Sequence, residues 1–476
     1  MQQNNSNTTR RQVLKSLGVL GAVAATGASQ SLAVSQENIP LASNPATRTD
    51  FSEVLKRRID STPMVDAHQH LPDEEERLAN FPRSWIYLFS NYLIDDFISA
   101  GAKRASIFSG KYDPVETWRS IEPYWHAVKN TGYGRAAQIT LRELYGVDQL
   151  NENTVSLVQQ RYEEGLTKGM YHRILREHCN IEACIVDRGP FSETRTPTFL
   201  FQDINTVAFT SGDGIEIGER VQVEVKDLND WHEVIRRFFD KYGPYATAVK
   251  NQIAYSRRLD FERVPAEEVE QTFRKRVLGE PVTPAEVKRM QDHLFWFCVE
   301  QANRHQLPVK LHTGYYAGTN YMPMSRVGLN PADVSDLCIR SPETRWIFMH
   351  AGYPYGDELI SIVKHFSNAH AQMCWAWIID PLSAKQFLKK YLVTAPTNKI
   401  HLFGGDIGYV ENTVGHARIA RNGFHAALLE LVDEGYLSQD DAMELVEPLL
   451  RGNMRRFVNM DKKYEMAKTV PWKVSE

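Results

Sequence analysis

The sequence predicts a parallel (β/α)8 barrel with a helical insertion after its first strand. Three observations predict it. Eight short apolar runs recur along the chain. Most gaps between them carry a helical period, as in Trp231-Val234-Ile235-Phe238-Phe239 and Leu359-Ile362-Val363-Phe366. No glycine-rich dinucleotide fingerprint follows an early strand, which disfavours the doubly wound open sheet. Strands alternating with helices make a parallel sheet with right-handed crossovers, and eight such units close it. The 476 residues are 42% apolar and 24% charged, with a net charge of −4. That balance excludes a disordered chain, a collagen-like repeat and a coiled-coil rod, and it carries no basic footprint for nucleic acid.

The chain starts with a segment of a different kind. Thr9-Arg10-Arg11-Gln12-Val13-Leu14-Lys15 precedes a short apolar run rich in Gly and Ala from Ser16 to Gly27, and Gln30-Ser31-Leu32-Ala33 resembles a small-residue cleavage site. A basic, then apolar, then small-residue order is the pattern of a signal peptide. The paired arginines point to the twin-arginine route and hence to an exported, periplasmic protein. The expected organisation is a leader over 1–33, a linker over 34–54, a barrel over 55–460 and a C-terminal tail over 461–476. No later run is long and apolar enough to span a membrane.

The predicted strands follow in order. They are Met64–His68, Asn180–Asp187, Thr198–Phe209, Ala246–Tyr255, Pro308–Thr313, Arg345–Ala351, Gln372–Ile379 and Lys399–Asp406. The gap between the first two is too long for one βα unit. Residues 71–175 hold helical stretches rich in aromatics, including Trp85, Tyr92, Trp118 and Trp125. They read as a helical insertion over one barrel mouth, able to exclude water. The other reading is an oligomer-forming appendage, so a homo-oligomer stays open. The five cysteines (Cys179, Cys184, Cys298, Cys338 and Cys374) are odd in number and lack a CxxC pair. They read as buried thiols rather than a disulfide framework.

The candidate chemistry sits where strands end. His68 and His70 lie two apart on the first strand and so share a face. Both imidazoles can point at one ion, with Asp66 as an acceptor for an imidazole N–H. Four further predicted strands end in a titratable group: Lys250 on the fourth, His312 on the fifth, His350 on the sixth and Asp406 on the eighth. Burying such groups is costly unless they are used, and barrel active sites lie at the strand C-termini. The set points to a divalent metal; neutral imidazole suits zinc, iron, nickel and copper, and zinc is the one expected. Arg188, Tyr315, Trp375 and Trp377 lie at or near strand ends and are candidate substrate contacts. The aromatic groups could stack on a ring or sugar, and Arg188 could hold a carboxylate.

The motifs VDAHQHL, AVKNQIAYSRRL, LPVKLHTGYY, WIFMHAGYPY and KIHLFGGDIGY, together with WRSIEPYWHAVKNTGYGRA and LRELYG in the insertion, resemble the amidohydrolase superfamily. The resemblance covers roughly residues 55–460 and is nearest to the amidohydrolase-related family that includes the uronate isomerases. It implies a TIM barrel of the metal-dependent hydrolase type and a water nucleophile activated by a divalent metal. His68, His70, His312, Asp406 and Lys250 would be the metal-binding positions. Asp406 would double as general base, with His350 as its catalytic companion. Lys250 matches the position that some members carbamylate. Ile185-Val186-Asp187-Arg188 matches part of a sugar-acid-binding stretch of the isomerase branch.

Several reactions stay open at this point. The leading expectation is a hydrolase acting on an amide, ester or lactone of a small molecule. A uronate isomerase-like aldose–ketose isomerase and a metal-dependent decarboxylase are the alternatives, since a fold does not fix a reaction. An exported binding protein without catalysis is the reading outside enzymology, and the intact His and Asp set argues against it.

Overall fold

The structure is a computed structural model that describes residues 45–108, 113–320 and 322–474. The expected leader and the first part of the linker lie outside the described residues. Among the described residues, eight strands pair in parallel and in sequence order: β1 (Met64–Gln69), β2 (Ile181–Val186), β3 (Leu200–Asn205), β4 (Ala246–Asn251), β5 (Val309–Leu311), β6 (Trp346–Phe348), β7 (Ala369–Gln372) and β8 (Ile400–His401). The ring closes just beyond β8. There the Ala67 N–H donates to the Phe403 carbonyl over 3.1 Å, and the Asp406 N–H donates to the His68 carbonyl over 2.8 Å. The architecture is the predicted TIM barrel.

Helices cover the outside. The helix Leu228–Tyr242 buries Trp231, Val234, Ile235, Phe238, Phe239 and Tyr242 along one stripe, and Asp227 caps its start by accepting from the Asp230 N–H. The helix Pro284–Arg304 opens with a reciprocal capping box between Thr283 and Glu286. Inside the barrel, Val65, Ala67, Ala183, Ile185, Phe201 and Ile347 form an apolar layer. Above it lies a buried ion pair, Lys310 to Asp203 at 2.6 Å, with neither side chain exposed.

The structure corrects several boundaries, among them the ends of the third and fourth strands, which stop at Asn205 and Asn251 and pass into the short helices Val207–Ser211 and Ile253–Tyr255. The seventh strand is Ala369–Gln372, not Gln372–Ile379, because Trp375 takes a left-handed backbone (φ 63°) and the chain then turns into the helix Ala376–Ile379. The eighth ladder stops at His401, well before Asp406, and the chain beyond it runs on beside β1, bonded through Phe403 and Asp406. The last ten residues of the expected linker begin the helix Pro45–Ser61. The expected tail instead contains the helix Met460–Ala467, whose Met460 and Ala467 join Met454 and Val458 against the apolar layer. Apolar contact area rather than sequence position decides that outcome.

The segment between β1 and β2 is helical, with its longest helices at Pro114–Val128, Gly132–Tyr145 and Val155–Gly165. It packs on the helix Thr413–Asp433 at backbone contact distance. A Cβ at Gly415 would lie 1.9 Å from the Ala136 carbonyl oxygen, so only glycine fits there. Its Tyr92 and Tyr133 reach the barrel rim, where Tyr92 stacks on Trp375 with ring centres 4.5 Å apart. Its Asp95 accepts from the Gly318 N–H over 2.9 Å, which ties it to the loop after β5.

Candidate metal centre

His68 and His70 point from β1 toward Asp406. The nearer carboxylate oxygen, Oδ1, lies 3.1 Å from His68 Nε2 and 3.0 Å from His70 Nε2. The Nδ1 of His70 donates to the Asp187 carbonyl over 2.8 Å, which aims its Nε2 at Asp406. His68 is fully buried and neither of its ring nitrogens has a hydrogen-bond partner. Its short contact with Asp406 is therefore out of line for an N–H bond.

A buried imidazole left without partners is costly unless something else fills the role. Nitrogen and oxygen ligands about 2.0–2.2 Å from one zinc ion stand roughly 3–3.5 Å apart. Both histidine–Asp406 distances match that spacing, and the donor set fits a borderline divalent cation. His68 has no solvent access, whereas 40% of the His70 side chain is exposed, so the centre opens to solvent on the His70 side.

The turn that carries Asp406 is held by buried polar groups of β1. Asp66 accepts from the Gly405 N–H (3.0 Å), the His68 N–H (3.2 Å) and the Gln69 side-chain amide (2.6 Å). Gln69 in turn accepts from the Ile407 N–H over 2.8 Å. A Cβ at Gly405 would lie 2.2 Å from the Gln69 amide nitrogen, which explains glycine at that turn. The expectation that Asp66 takes an imidazole N–H is thus corrected: it fastens the backbone beneath the histidines. Burial pushes its carboxyl up to about 7, against the pull of those hydrogen bonds. Asp406 itself has a left-handed backbone (φ 57°), and the Tyr92 hydroxyl donates to its carbonyl. His350, Ala351 and Trp375 share that strained conformation, so the strain clusters at this rim.

On the opposite side, His312 Nε2 donates to the Tyr315 carbonyl over 2.9 Å, and His350 Nδ1 donates to the Cys374 carbonyl over 3.0 Å. The remaining nitrogens, His350 Nε2 and His312 Nδ1, face each other at 2.9 Å. Lys250 is buried and its ammonium meets the Met349 sulfur at 2.9 Å.

Burial holds the His68 and His312 rings well below their ordinary range and brings His350 to about 4, so all three are neutral at neutral pH. Burial also lowers Lys250, against the pull of Asp406 and Asp187. Burial alone would raise the Asp406 carboxyl, but the His68 and His70 imidazoles outweigh it and hold the group well below the usual range. His68, His312 and His350 are therefore neutral and Asp406 is ionised, the forms that ligate, whereas Asp406 and Asp187 outweigh burial and raise His70.

Asp187 is a further member of this group, outside the candidate ligands that the sequence suggests. Its carboxylate and the rings of His68 and His70 offer ligand atoms within 4.8 Å of one another. A signal for it exists, since Asp187 ends an apolar strand run as Asp406 does. Asn205 orients it by donating to both oxygens, at 2.8 and 3.1 Å.

The expected substrate contacts divide. Trp375 forms a wall of the site, edge-on to His350 with ring centres 5.4 Å apart. Tyr315 lies 5.8 Å from Trp375 and 6.1 Å from Tyr353. Arg188 is engaged by Glu76 through two bonds of 3.1 and 2.8 Å, which uses its carboxylate-binding face. Trp377 is a core residue rather than a substrate contact. Its indole donates to the Leu402 carbonyl over 2.9 Å and packs where Gly423 leaves room.

Known proteins share this architecture. The solved uronate isomerase of Thermotoga maritima has a TM-score of 0.70 at 13% identity, over 86% of this chain and 97% of that one. The glucuronate isomerase of Caulobacter crescentus has a TM-score of 0.70 at 18% identity, over 90% of this chain and 97% of that one. A Lactobacillus casei protein, provisionally named a metal-dependent hydrolase, has a TM-score of 0.62 at 14% identity, over 86% and 98%. At these identities the likeness is one of fold. No curated protein matches the sequence. Residues 221–459, half of the chain and the part that carries β4 to β8, match the sequence model of the amidohydrolases. The chain belongs to the amidohydrolase family.

Proposed function

We propose that the chain is a metal-dependent hydrolase that cleaves an amide, ester or lactone of a small molecule. One observation carries the reading: Asp406 Oδ1 lies within 3.1 Å of two imidazole nitrogens, one of them on a ring with no other partner. His68, His70 and Asp406 would hold the cation, with Asp187 beside the histidines and His312, His350 and Lys250 across the site. A divalent ion there, zinc by the chemistry of the donors, supplies a Lewis acid and makes water acidic near neutral pH.

The chain's own groups do the rest. Asp406 remains a carboxylate at neutral pH. With Oδ1 turned to the imidazoles, its other oxygen accepts a proton from the attacking water and returns it to the leaving group. His350 and His312 are neutral and held by backbone carbonyls, so they form a fixed, uncharged wall across the site from Asp406. Tyr92 and Trp375 form a stacked lid edge that keeps bulk water from the bond under attack.

The test is metal analysis of the purified protein, followed by a substrate screen of the zinc-loaded form against lactones, esters, amides and uronates. Hydrolysis that disappears on chelation and returns with zinc is the expected result. A uronate isomerase-like reaction is the second reading, favoured by a fold likeness to two uronate isomerases over 86% and 90% of the chain. Turnover of a uronate with no hydrolysis would put it first. The engagement of Arg188 by Glu76 weighs against it. Export through the twin-arginine route is part of the proposal, and loss of export on replacing Arg10 and Arg11 with lysine tests it.

A further inference from the structure

The segment between β1 and β2 carries a cavity that has no part in the metal centre. It holds about 380 Å³ and lies among the helices Gly132–Tyr145 and Val155–Gly165, the helical segment His172–His178 and Glu411. Leu144, Tyr145, Tyr162, Met170 and Ile174 give it apolar and aromatic walls. Small-molecule sites are about 300–1,000 Å³ in volume, with a few polar groups set in such walls. We propose that this cavity binds an ω-amino carboxylate, its ammonium on Glu411 and its carboxylate at Arg161 and Arg173. None of the lining residues belongs to the metal centre, so the proposal is independent of the metal reading.

Glu411 sets the inner end. Its side chain lines the cavity, yet the residue is only 2% exposed. Its Oε1 accepts from Arg77 over 2.6 Å, whereas its Oε2 has no hydrogen-bond partner. Arg77 is committed elsewhere. The nitrogen that reaches Glu411 also donates to the Tyr162 hydroxyl over 2.7 Å, and the guanidinium lies over the rings of Tyr409 and Phe81, at 5.0 and 5.5 Å from their centres. A buried carboxylate oxygen left bare is costly unless a donor meets it. Burial raises the Glu411 carboxyl against the pull of Arg77, so a second cation beside it stabilises the ionised form. Tyr145 and Tyr162, with ring centres 6.2 Å apart, add aromatic surface of the kind that attracts an ammonium.

The outer end carries the opposite charge. Arg161 and Arg173 also line the cavity, and both are exposed. Arg161 donates to the Tyr145 carbonyl, and Arg173 to the carbonyls of Lys168, Gly165 and Thr167 at 3.0, 3.2 and 3.3 Å. Among the described residues neither has a carboxylate partner. The other titratable rim groups are paired, Glu177 with His172 at 3.1 Å and His178 with Glu143 at 3.0 Å. A ligand bearing only an ammonium meets two cations of its own sign at the rim. One bearing only a carboxylate meets Glu411 inside. Charges at both ends of an aliphatic stem match both ends and the apolar walls between them.

Titration calorimetry of the full chain with 6-aminohexanoate tests this. The expected result is one equivalent with a Kd below about 1 mM, in zinc-loaded and chelator-treated protein alike. Hexanoate, which lacks the ammonium, should bind about 10- to 150-fold more weakly, the factor for a hydrogen bond to a charged group. Hexylamine, which lacks the carboxylate, should lose about 2- to 5-fold, because the rim is exposed to water. Met170→Trp fills the cavity without touching Glu411 and should abolish binding. The ligand series needs no variant, and a crystal of the complex should place the amine nitrogen within about 3 Å of Glu411 Oε2. No binding, hexanoate or hexylamine bound as tightly as 6-aminohexanoate, or density for water alone in the cavity overturns the proposal. A chain that binds 6-aminohexanoate but no zinc overturns the metal reading and leaves this site standing.

Discussion

Removing His68 is the sharpest perturbation of the proposed centre, because its ring nitrogens face nothing but Asp406. Neither ring nitrogen has a partner within the protein, so His68→Ala breaks no hydrogen bond of the fold. The expected cost falls on the ion. Zinc sites with four ligands bind with about 10–16 kcal/mol, or roughly 2.5–4 kcal/mol per ligand. At about 1.4 kcal/mol per decade, the loss of one ligand weakens binding by roughly 60- to 700-fold.

The assay is a competition titration of the stripped protein against a zinc-binding dye, with thermal unfolding of the metal-free forms as the control. The metal-free variant should unfold close to the wild type, and the gain in midpoint on adding zinc should shrink. Zinc bound as tightly by His68→Ala as by the wild type would refute the reasoning. So would an equal loss of affinity in Trp377→Phe, since Trp377 lies in the core and touches none of the ligands.

Further outcomes follow from other parts of the structure. Asp406→Asn should leave the fold intact and lower kcat by about 10²–10⁴-fold on whichever ester, lactone or amide is turned over. Lys310→Met strands the buried Asp203 carboxylate, so urea unfolding should show a loss of about 3–5 kcal/mol. Most of that loss should return in the double variant Lys310→Met/Asp203→Leu, in which no charge remains to be paired. Tyr92→Phe removes the hydroxyl that holds the Asp406 carbonyl, with an expected cost of about 0.5–1.5 kcal/mol and a fall in kcat at little change in KM. Trp377→Ala should cost about 3–5 kcal/mol of stability through its cavity and leave zinc affinity unchanged.

The alternation of side chains along a strand makes much of this protein legible in its sequence. His68 and His70 share a face because a strand repeats every second residue, and Asp406 lies opposite because the ring of parallel strands is closed. The same rule extends to Asp187, which also ends a strand run. Hydrophobicity fails at β7 for a physical reason. Ala-His-Ala-Gln forms the strand even though His370 and Gln372 are polar, while the apolar Met-Cys-Trp-Ala-Trp-Ile-Ile run that follows turns into a helix. Apolar character reports burial, and both segments are buried.

By itself, then, the sequence determined the order of strands and helices, the barrel class and the residues able to ligate, because these depend on local periodicity and residue chemistry. Which of those residues meet was decided by tertiary structure. Trp375 and Trp377 are two apart, yet a left-handed backbone at Trp375 sends one to the site and the other to the core. Arg188 is engaged by Glu76, 112 positions away, and the helix Met460–Ala467 packs Met460 and Ala467 against the apolar layer. Such pairings depend on distances across the fold, and no local pattern encodes them.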